Sequence, residues 1–210
     1  MTTFNTDWLQ ENFSAEHNVI FDIGCADLHD SVNLLDKTNG QVFAFECNPV
    51  WKEKNLERAK KLDRLNYFHC GISNVDGTEN FVPSHSLKGQ EWNWSGSLCP
   101  PTDNLKTDEW KWKDPVSVTV RSIDSICLEH QLVPNFIHID AQGAEYKIFK
   151  DMVARPFAIW CEVSEFENYE TGITEKDFHT MMFSKGYNLK HTQDENVLYV
   201  LKNTNLTNYG

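Results

Sequence analysis

Short apolar runs alternate with stretches of helical character along most of the chain, and this alternation restricts the fold more than any other feature. The runs at 19–23, 42–45 and 135–140 have the length and the branched or aromatic residues of buried strands. Between such runs, Pro49 can open a helix because its missing N–H is not needed there, and Thr174 can cap another. This alternation is typical of βαβ units. The sequence therefore predicts an α/β fold with a largely parallel sheet and helices on both faces.

The chain between residues 70 and 120 departs from this alternation. Residues 74–77 form a turn signal and residues 78–82 alternate like an antiparallel strand, so we expect a β-hairpin. Residues 83–115 show no periodicity and hold four of the seven tryptophans, Trp92, Trp94, Trp110 and Trp112. Loops of this length are usually functional or mobile. We interpret 83–115 as a lid or substrate-facing insertion within a single domain spanning 1–210; the alternative is that the tryptophans simply cover the sheet.

The formal net charge of −12 limits the partners of the chain. It repels phosphate backbones and anionic membrane surfaces, so we expect no nucleic-acid and no membrane partner. No apolar run approaches the ~20 residues of a membrane span, and residues 1–5 do not begin a signal peptide. The six cysteines are scattered without a CxxC pair, which favours reduced thiols over a metal site. We expect a cytoplasmic protein, whose oligomeric state the sequence leaves open.

A glycine-containing loop follows the first predicted strand, and an acidic residue follows the second. Gly24, after Asp22, lets the backbone approach a ligand where a Cβ would clash, yet the GxGxxG glycines are absent. Such a loop suits a ligand without a pyrophosphate, such as S-adenosylmethionine. Glu46 follows Gly24 by 22 residues, near the spacing of ~20 at which a carboxylate meets ribose hydroxyls. The two together predict an adenosine site, against the alternatives of an ordinary turn and a solvated glutamate.

A third polar segment follows a strand that should be central in the sheet. Asp140 ends this strand and can accept a proton from a hydroxyl, or hold a divalent cation together with Glu162. Glu145 enters the next helix near its positive end, and a helix-dipole role and a substrate role stay open for it. For His138, a hydrogen-bonded core histidine is the favoured interpretation.

Five motifs, in this order, resemble those of the FkbM family of methyltransferases. They are Phe21-Asp22-Ile23-Gly24, Phe45-Glu46-x-Asn48-Pro49, Cys70-Gly71-Ile72-Ser73, Val118-x-Val120-Arg121-Ser122-Ile123-Asp124 and Ile137-x-Ile139-Asp140-x-Gln142-Gly143-x-Glu145. The resemblance covers roughly residues 17 to 165 and is most specific in the last motif. It implies a Rossmann-like class I methyltransferase fold with a mostly parallel seven-stranded sheet, and S-adenosylmethionine as methyl donor.

The resemblance also implies roles for single residues. Asp22 and Gly24 would lie by the methionine moiety and Glu46 by the ribose, while Ser73 would lie near the adenine and Asp140 would face the reacting centre. Cys25, Ala26 and Cys47 complete the expected cofactor-binding set. The family often has Ala-Asn where this chain has Cys25-Ala26, and Lys where it has His138.

These features together predict transfer of a methyl group to a hydroxyl of a sugar or another small-molecule or glycan acceptor. Asp140 is the first candidate for the base, followed by Glu162 and Glu145. Two alternatives remain: a nucleotide-dependent oxidoreductase or epimerase, and a degenerate methyltransferase fold that only binds its ligand.

Overall fold

The computed structural model describes residues 6–163 and 165–202. Within them lie six α-helices: α1 (Thr6–Asn12), α2 (His29–Lys37), α3 (Lys52–Ala59), α4 (Ile123–His130), α5 (Glu145–Lys150) and α6 (Glu175–Ser184). The strands are β1 (Val19–Ile23), β2 (Gln41–Phe45), β3 (Leu65–Phe68), β4 (Gly71–Ser73), β5 (Gly77–Phe81), β6 (Ser84–Leu87), β7 (Gln90–Glu91), β8 (Trp110–Trp112), β9 (Val116–Ser122), β10 (Phe136–Ile139), β11 (Ala158–Glu162), β12 (Tyr187–Gln193) and β13 (Asn196–Leu201). Residues 1–5, which bear on a signal peptide, lie outside the described residues.

A seven-stranded sheet in the order β12-β13-β11-β10-β1-β2-β3 forms the centre of the fold. The five strands from β11 to β3 are parallel, and β13 runs antiparallel between β11 and β12. Each parallel pair needs a crossover connection, which α2, α3 and α5 provide in part. The predicted α/β fold with a mostly parallel seven-stranded sheet is confirmed.

Side chains of alternating strand residues separate into two cores, one on each face of the sheet. One core contains Phe21, Ile137 and Ile159, which pack with residues of α4, α5 and α6. The other contains Ile20 and Phe136, which pack with residues of α1 and α2. Successive strand residues point to opposite faces, so near-continuous apolar runs are what a sheet covered on both sides requires.

The helix that was predicted from its capping residue begins where expected. The Thr174 hydroxyl accepts from the backbone N–H of Asp177, and the Asp177 carboxylate accepts from the backbone of Thr174, so the two form a capping box. Strand β12 was missed, because its residues are mostly polar and exposed at the edge of the sheet.

Strands β4, β9 and β5 form a second sheet, and here the predicted hairpin is wrong. The turn at 74–76 exists, but β9 lies between β4 and β5 and pairs with both, parallel to β4 and antiparallel to β5. The hairpin pattern is local, whereas β9 comes more than thirty residues later in the chain. Strand β3 ends at Phe68, and the chain then enters the second sheet at Gly71.

The aperiodic stretch 83–115 contains a small third sheet, in the order β7-β6-β8. A tight turn at Lys88 and Gly89 joins β6 and β7, and both turn residues have positive φ angles. Four- and two-residue strands are too short to show a period, so the sequence did not predict them.

None of the helices in the described ranges combines the length and the apolarity that a membrane span needs.

Candidate active site

A cleft opens at the carboxyl ends of β1, β2, β3 and β10, on the edge of the sheet where open α/β folds bind ligands. The space between its walls is about 520 Å³ when the part open to solvent is included. The floor comes from the loops after these strands, with Gly24, Glu46, Gly71 and Asp140. The roof comes from the segment 93–98 of the tryptophan-rich stretch. The cleft thus joins the three polar segments that the sequence singled out.

Gly24 makes the closest backbone approach in the cleft. Its φ is +78°, and a Cβ at this position would lie 1.9 Å from the backbone oxygen of Asp140. The backbone N–H groups of Gly24 and Cys25 both donate to the carbonyl of Phe45, at 2.9 and 3.1 Å. The loop after β1 is therefore held between β2 and β10, and only glycine fits at its start.

Glu46 is a buried carboxylate, 8% exposed, that organises two loops. Its Oε2 accepts from the backbone N–H of Ala26 at 2.9 Å, and its Oε1 accepts from that of Asn48 at 2.5 Å. Burial raises the pKa of Glu46 to about 7, although these backbone N–H groups act to lower it. Each carboxylate oxygen has a second lone pair, so Glu46 keeps capacity to accept from ligand hydroxyls.

Asp22 and His138 lie side by side on neighbouring strands beneath the cleft. The Asp22 carboxylate is fully buried and contacts the His138 Nδ1 at 2.8 Å; the Ser31 hydroxyl of α2 donates to it as well. Burial disfavours the charged imidazole, but the hydrogen bond with Asp22 and the negative charge of Asp22 outweigh it and raise the pKa of His138 to about 9. His138 is thus a hydrogen-bonded core histidine, as favoured from the sequence. Asp22 supports the loop from below rather than lining the cleft.

Asp140 lies where the first cavity meets a second one, which spans about 930 Å³ when the part open to solvent is included. The second cavity is lined by Asp27, Asp30, Trp92 and Trp94 among others. Asp140 is exposed at the mouth of the cavities, yet partial desolvation of its carboxylate by the surrounding protein raises its pKa. Asp140 is the one predicted catalytic residue that lines these two cavities.

Glu145, Glu162 and Ser73 line neither cavity. Glu145 is buried, and its Oε1 accepts from the backbone N–H of Ala141 at 2.7 Å, which braces the loop after β10. Glu162 lies at the end of β11, opposite Asn196 of β13. The Ser73 hydroxyl donates to Glu79 at 2.6 Å. The cleft wall near Ser73 is instead formed by Cys70, Gly71 and Ile72.

Cys47 lines the first cavity, Cys25 lines the second, and Ala26 lines both. Burial raises the pKa of both thiols well above its usual range, so they are neutral. In the described part of the chain, no three histidine, cysteine, aspartate or glutamate side chains converge to hold a metal ion. A divalent cation between Asp140 and Glu162 would therefore lack a third protein ligand of these types among the described residues.

Sequence reasoning missed several residues that shape the cleft. The Asn55 amide donates to the carbonyl of Ala26 at 2.5 Å, and the Asn48 amide donates to that of Asn93 at 3.1 Å. The Trp51 ring packs against Trp94, with centroids 4.8 Å apart. Asn48 stands in a quoted motif and could have been found there. No local sequence pattern marks Asn55 or Trp51 as a cleft residue. Asn55 lies on α3 and Trp51 directly precedes it, and both contact loops that are distant in the sequence.

The strand order and the position of the cleft define a Rossmann-like class I methyltransferase fold. Residues 23–189 match the Methyltransferase FkbM domain. The chain belongs to this FkbM methyltransferase family, as its motifs indicate.

One relative is the protein named 2-O-methyltransferase NoeI, from Sinorhizobium fredii (strain NBRC 101917 / NGR234). It is 34% identical over 159 residues, which cover 72% of this chain and 65% of the relative. The chain therefore spans slightly less than two thirds of the length of this relative.

Two solved structures are similar to this chain at low identity. Fibrillarin from Aeropyrum pernix, in complex with S-adenosyl-L-methionine, is 10% identical with a TM-score of 0.49, covering 88% of this chain and 67% of its own. TrmK from M. capricolum, in complex with S-adenosyl-homocysteine, is 11% identical with a TM-score of 0.48, covering 96% and 70%.

Replacing Gly24 by alanine should disrupt the cleft. The new Cβ would overlap the Asp140 carbonyl, so we expect Gly24→Ala to lower the free energy of unfolding by more than about 4 kcal/mol. Gly89→Ala is the matched control, because Gly89 has a similar φ of +76° with nothing within 4 Å of its Cβ position. It should cost only about 1–2 kcal/mol. Equal losses in chemical denaturation of the two variants would contradict this account of Gly24.

The Asp22–His138 pair should make stability depend on pH. The folded-state pKa of His138, about 9, lies above the usual value of about 6.5, so its stabilisation is complete below pH 6.5 and is lost as pH rises through 9. The loss should reach up to about 3 kcal/mol. Denaturation curves between pH 6 and 10 measure it, and His138→Gln should remove this component. Parallel pH profiles of the wild type and the variant would show that His138 does not titrate in this range.

Proposed function

We propose that this protein is an S-adenosylmethionine-dependent O-methyltransferase acting on a hydroxyl of a sugar or another small acceptor. The observation that carries the proposal is the convergence of the Gly24 loop, Glu46 and Asp140 in one cleft at the carboxyl edge of the sheet. Membership of the FkbM family supports methyl transfer. The name of the relative NoeI supports oxygen as the atom methylated.

The lining of the first cavity suits the adenosine part of S-adenosylmethionine in its chemistry. Glu46 offers carboxylate oxygens to the ribose diol. Apolar side chains supply flat or aliphatic walls for the adenine ring; they are Phe45, Ile72, Phe81, Trp94 and Leu98. Under this proposal Ser73 acts indirectly, by anchoring β4 through Glu79 rather than by contacting adenine.

The second cavity is the proposed acceptor site. Trp92 is 36% exposed, and its Nε1 donates to the Ser95 hydroxyl at 2.9 Å, which holds the ring at the cavity wall. Flat aromatic faces beside polar groups suit a sugar, which presents C–H groups on one face and hydroxyls on its rim. The stretch 83–115 would then face the acceptor. Asp140 lies at the junction, so it can reach an acceptor hydroxyl next to the methyl donor.

In this mechanism the residues of the protein bind the donor and the acceptor, orient them, and deprotonate the acceptor hydroxyl. S-adenosylmethionine, when bound, supplies a methyl group on a good leaving sulfur. The two cavities hold acceptor and donor at adjacent positions, which lowers the entropic part of the barrier. Asp140 accepts the hydroxyl proton as the oxygen loses it, and its raised pKa moves it toward the operating pH of a general base. Glu145 keeps the loop that carries Asp140 in place through Ala141.

The other interpretations lead to different observations. Family membership favours methyl transfer over a nucleotide-dependent oxidoreductase or epimerase, which would bind a nicotinamide cofactor tightly instead. A degenerate binding module would bind S-adenosylmethionine without turning over any acceptor. That nucleic acid is not an acceptor, and that the protein is cytoplasmic, remain predictions from the sequence.

Binding of S-adenosylmethionine should depend on Glu46 and on pH. Only the ionised carboxylate accepts from both ribose hydroxyls, so affinity should fall about tenfold between pH 8 and pH 6, across the pKa of about 7. Glu46→Gln should bind about tenfold more weakly at pH 8 and show no such dependence. Titration calorimetry with S-adenosylmethionine and S-adenosylhomocysteine measures both effects.

Glu57→Gln is the control for this experiment, because Glu57 is exposed on α3 and pairs only locally with Lys60. It should bind like the wild type. No binding by the wild type would refute the proposed cofactor, and unchanged binding by Glu46→Gln would remove Glu46 from the ribose site.

Asp140→Asn should separate binding from chemistry. We expect S-adenosylmethionine affinity to stay within about threefold, while methyl transfer to a hydroxyl acceptor falls at least about 100-fold. Transfer of a labelled methyl group to a panel of mono- and oligosaccharides measures it. Asp36→Asn is the control, because Asp36 is exposed on α2 and lines neither cavity, so its turnover should stay near that of the wild type. Near-normal turnover by Asp140→Asn would exclude Asp140 as the base.

A further inference from the structure

A chain of hydrogen bonds leads from Asp140 into the protein. The Gln142 side-chain amide donates to Asp140 Oδ1 at 2.6 Å, and the Gln142 Oε1 accepts from the Tyr169 hydroxyl at 2.9 Å. The same Tyr169 hydroxyl lies 3.0 Å from the backbone carbonyl of Ser95, in the tryptophan-rich stretch. Tyr169 is 2% exposed, so the hydrogen bonds at this end of the series are shielded from water.

The tyrosine hydroxyl faces two acceptors but has only one hydrogen. It cannot donate fully to Gln142 Oε1 and to the Ser95 carbonyl at the same time. A glutamine amide, in turn, can present either its oxygen or its NH₂ group in each direction. The chain from Asp140 to Ser95 therefore has two complete hydrogen-bonding arrangements.

The two arrangements correspond to the two protonation states of Asp140. When Asp140 is ionised, the Gln142 NH₂ donates to it and Tyr169 donates to Gln142. When Asp140 carries a proton, its O–H donates to the Gln142 oxygen, the turned amide donates to the Tyr169 oxygen, and Tyr169 donates to the Ser95 carbonyl. Each donor named here has an acceptor in both states, and the Ser95 carbonyl accepts from Tyr169 only in the second.

We propose that Gln142 and Tyr169 are positioning residues that hold Asp140 in both protonation states by reversing this hydrogen-bond chain. The proposal rests on the proposed function, in which Asp140 accepts a proton. In that step the acceptor oxygen forms a bond to the methyl carbon, the carbon–sulfur pair leaves with sulfur, and the O–H proton moves to Asp140 and later to water.

The backbone is built to keep Gln142 in this position. Its φ is +53°, in the left-handed region that a non-glycine residue adopts only when the surroundings enforce it. The Ser97 hydroxyl donates to the Gln142 carbonyl at 2.7 Å, and a Cβ at the next residue, Gly143, would lie 2.9 Å from the Tyr169 Cβ. Tyr169 thus packs on the loop after β10 as well as bonding to it.

Direct titration of the Asp140 carboxyl tests the proposal without any need for turnover. Carbon-13 NMR of the labelled aspartate, assigned with Asp140→Asn, gives its pKa in each variant. The Gln142 hydrogen bond to the charged carboxylate is stronger than the one to the neutral acid, so Gln142→Met should raise the pKa of Asp140 by about one pH unit. Tyr169→Phe keeps the ring on Gly143 but removes the hydroxyl, and should raise it by about half a pH unit.

Tyr187→Phe is the matched control. Tyr187 is also fully buried, and its hydroxyl donates to one backbone carbonyl, that of Pro156 at 2.9 Å, away from both cavities. Tyr187→Phe should be less stable than the wild type but should leave the pKa of Asp140 unchanged. Charged or titratable groups of the other elements that act on Asp140 or lie beside it, namely Asp22, Asp30, Glu46 and His138, are unchanged in all these variants.

The outcomes separate this proposal from the proposed function. If the pKa of Asp140 is the same as in the wild type in both Gln142→Met and Tyr169→Phe, the proposed hydrogen-bond chain is refuted, even in an active enzyme. A shift in Gln142→Met alone would remove Tyr169 from it. Shifts in both variants would support the chain even if no acceptor were methylated, and that absence of turnover would count against the proposed function instead. If Gln142→Met does not fold, Tyr169→Phe carries the test.

Discussion

The contact between Gly24 and the Asp140 carbonyl is the constraint on which the rest of the site depends. Two parallel strands, β1 and β10, end side by side, and the chain after β1 turns directly across the end of β10. The Gly24 loop, which should face the methyl donor, therefore packs directly against Asp140, which should accept the proton. Glu46 extends the arrangement to β2, because its carboxylate holds Ala26 of the same loop.

Beneath this contact, the Asp22–His138 pair stabilises the same two strands from one face. Asp22 and His138 are register partners, so their side chains emerge on the same side of the sheet. A buried ion pair contributes little net stability compared with apolar residues, but breaking it leaves an uncompensated charge. The pair therefore fixes the geometry of the strand ends more than it strengthens the fold. Its position explains why an aspartate expected at the methionine moiety is covered by the loop instead.

Sequence reasoning reached the fold and the loops because both leave local patterns. Buried parallel strands read as apolar runs, and the residues after them stand at the carboxyl edge by topology alone, as Gly24, Glu46 and Asp140 do. The second sheet was misread because β9 pairs with strands far away in the sequence. Tyr169 could not be found at all. It carries no motif, and its role comes from packing on a glycine 26 residues earlier in the chain.

The tryptophan-rich stretch is part of the cleft wall and is tied to its floor at several points. The backbones of Val82 and Ser97 exchange hydrogen bonds at 2.8 and 3.1 Å, and a Cβ at Gly96 would lie 2.3 Å from the Phe81 ring. Ser97 also reaches the loop after β10 through Gln142. These ties mean that the wall and the floor cannot shift independently at 95–97.

The charge of the second cavity also restricts which ligands it can hold. Asp27, Asp30 and Asp140 all line the second cavity, and only Asp27 has a lysine partner among the described ion pairs, Lys54 at 3.6 Å. An excess of negative charge in a cavity repels phosphate and carboxylate groups and attracts a cation. Under the proposed function this favours a positively charged sulfonium donor and an uncharged hydroxyl acceptor. The acidic composition thus disfavours anionic partners of the whole protein, and within the cleft it also favours a cationic donor with an uncharged acceptor.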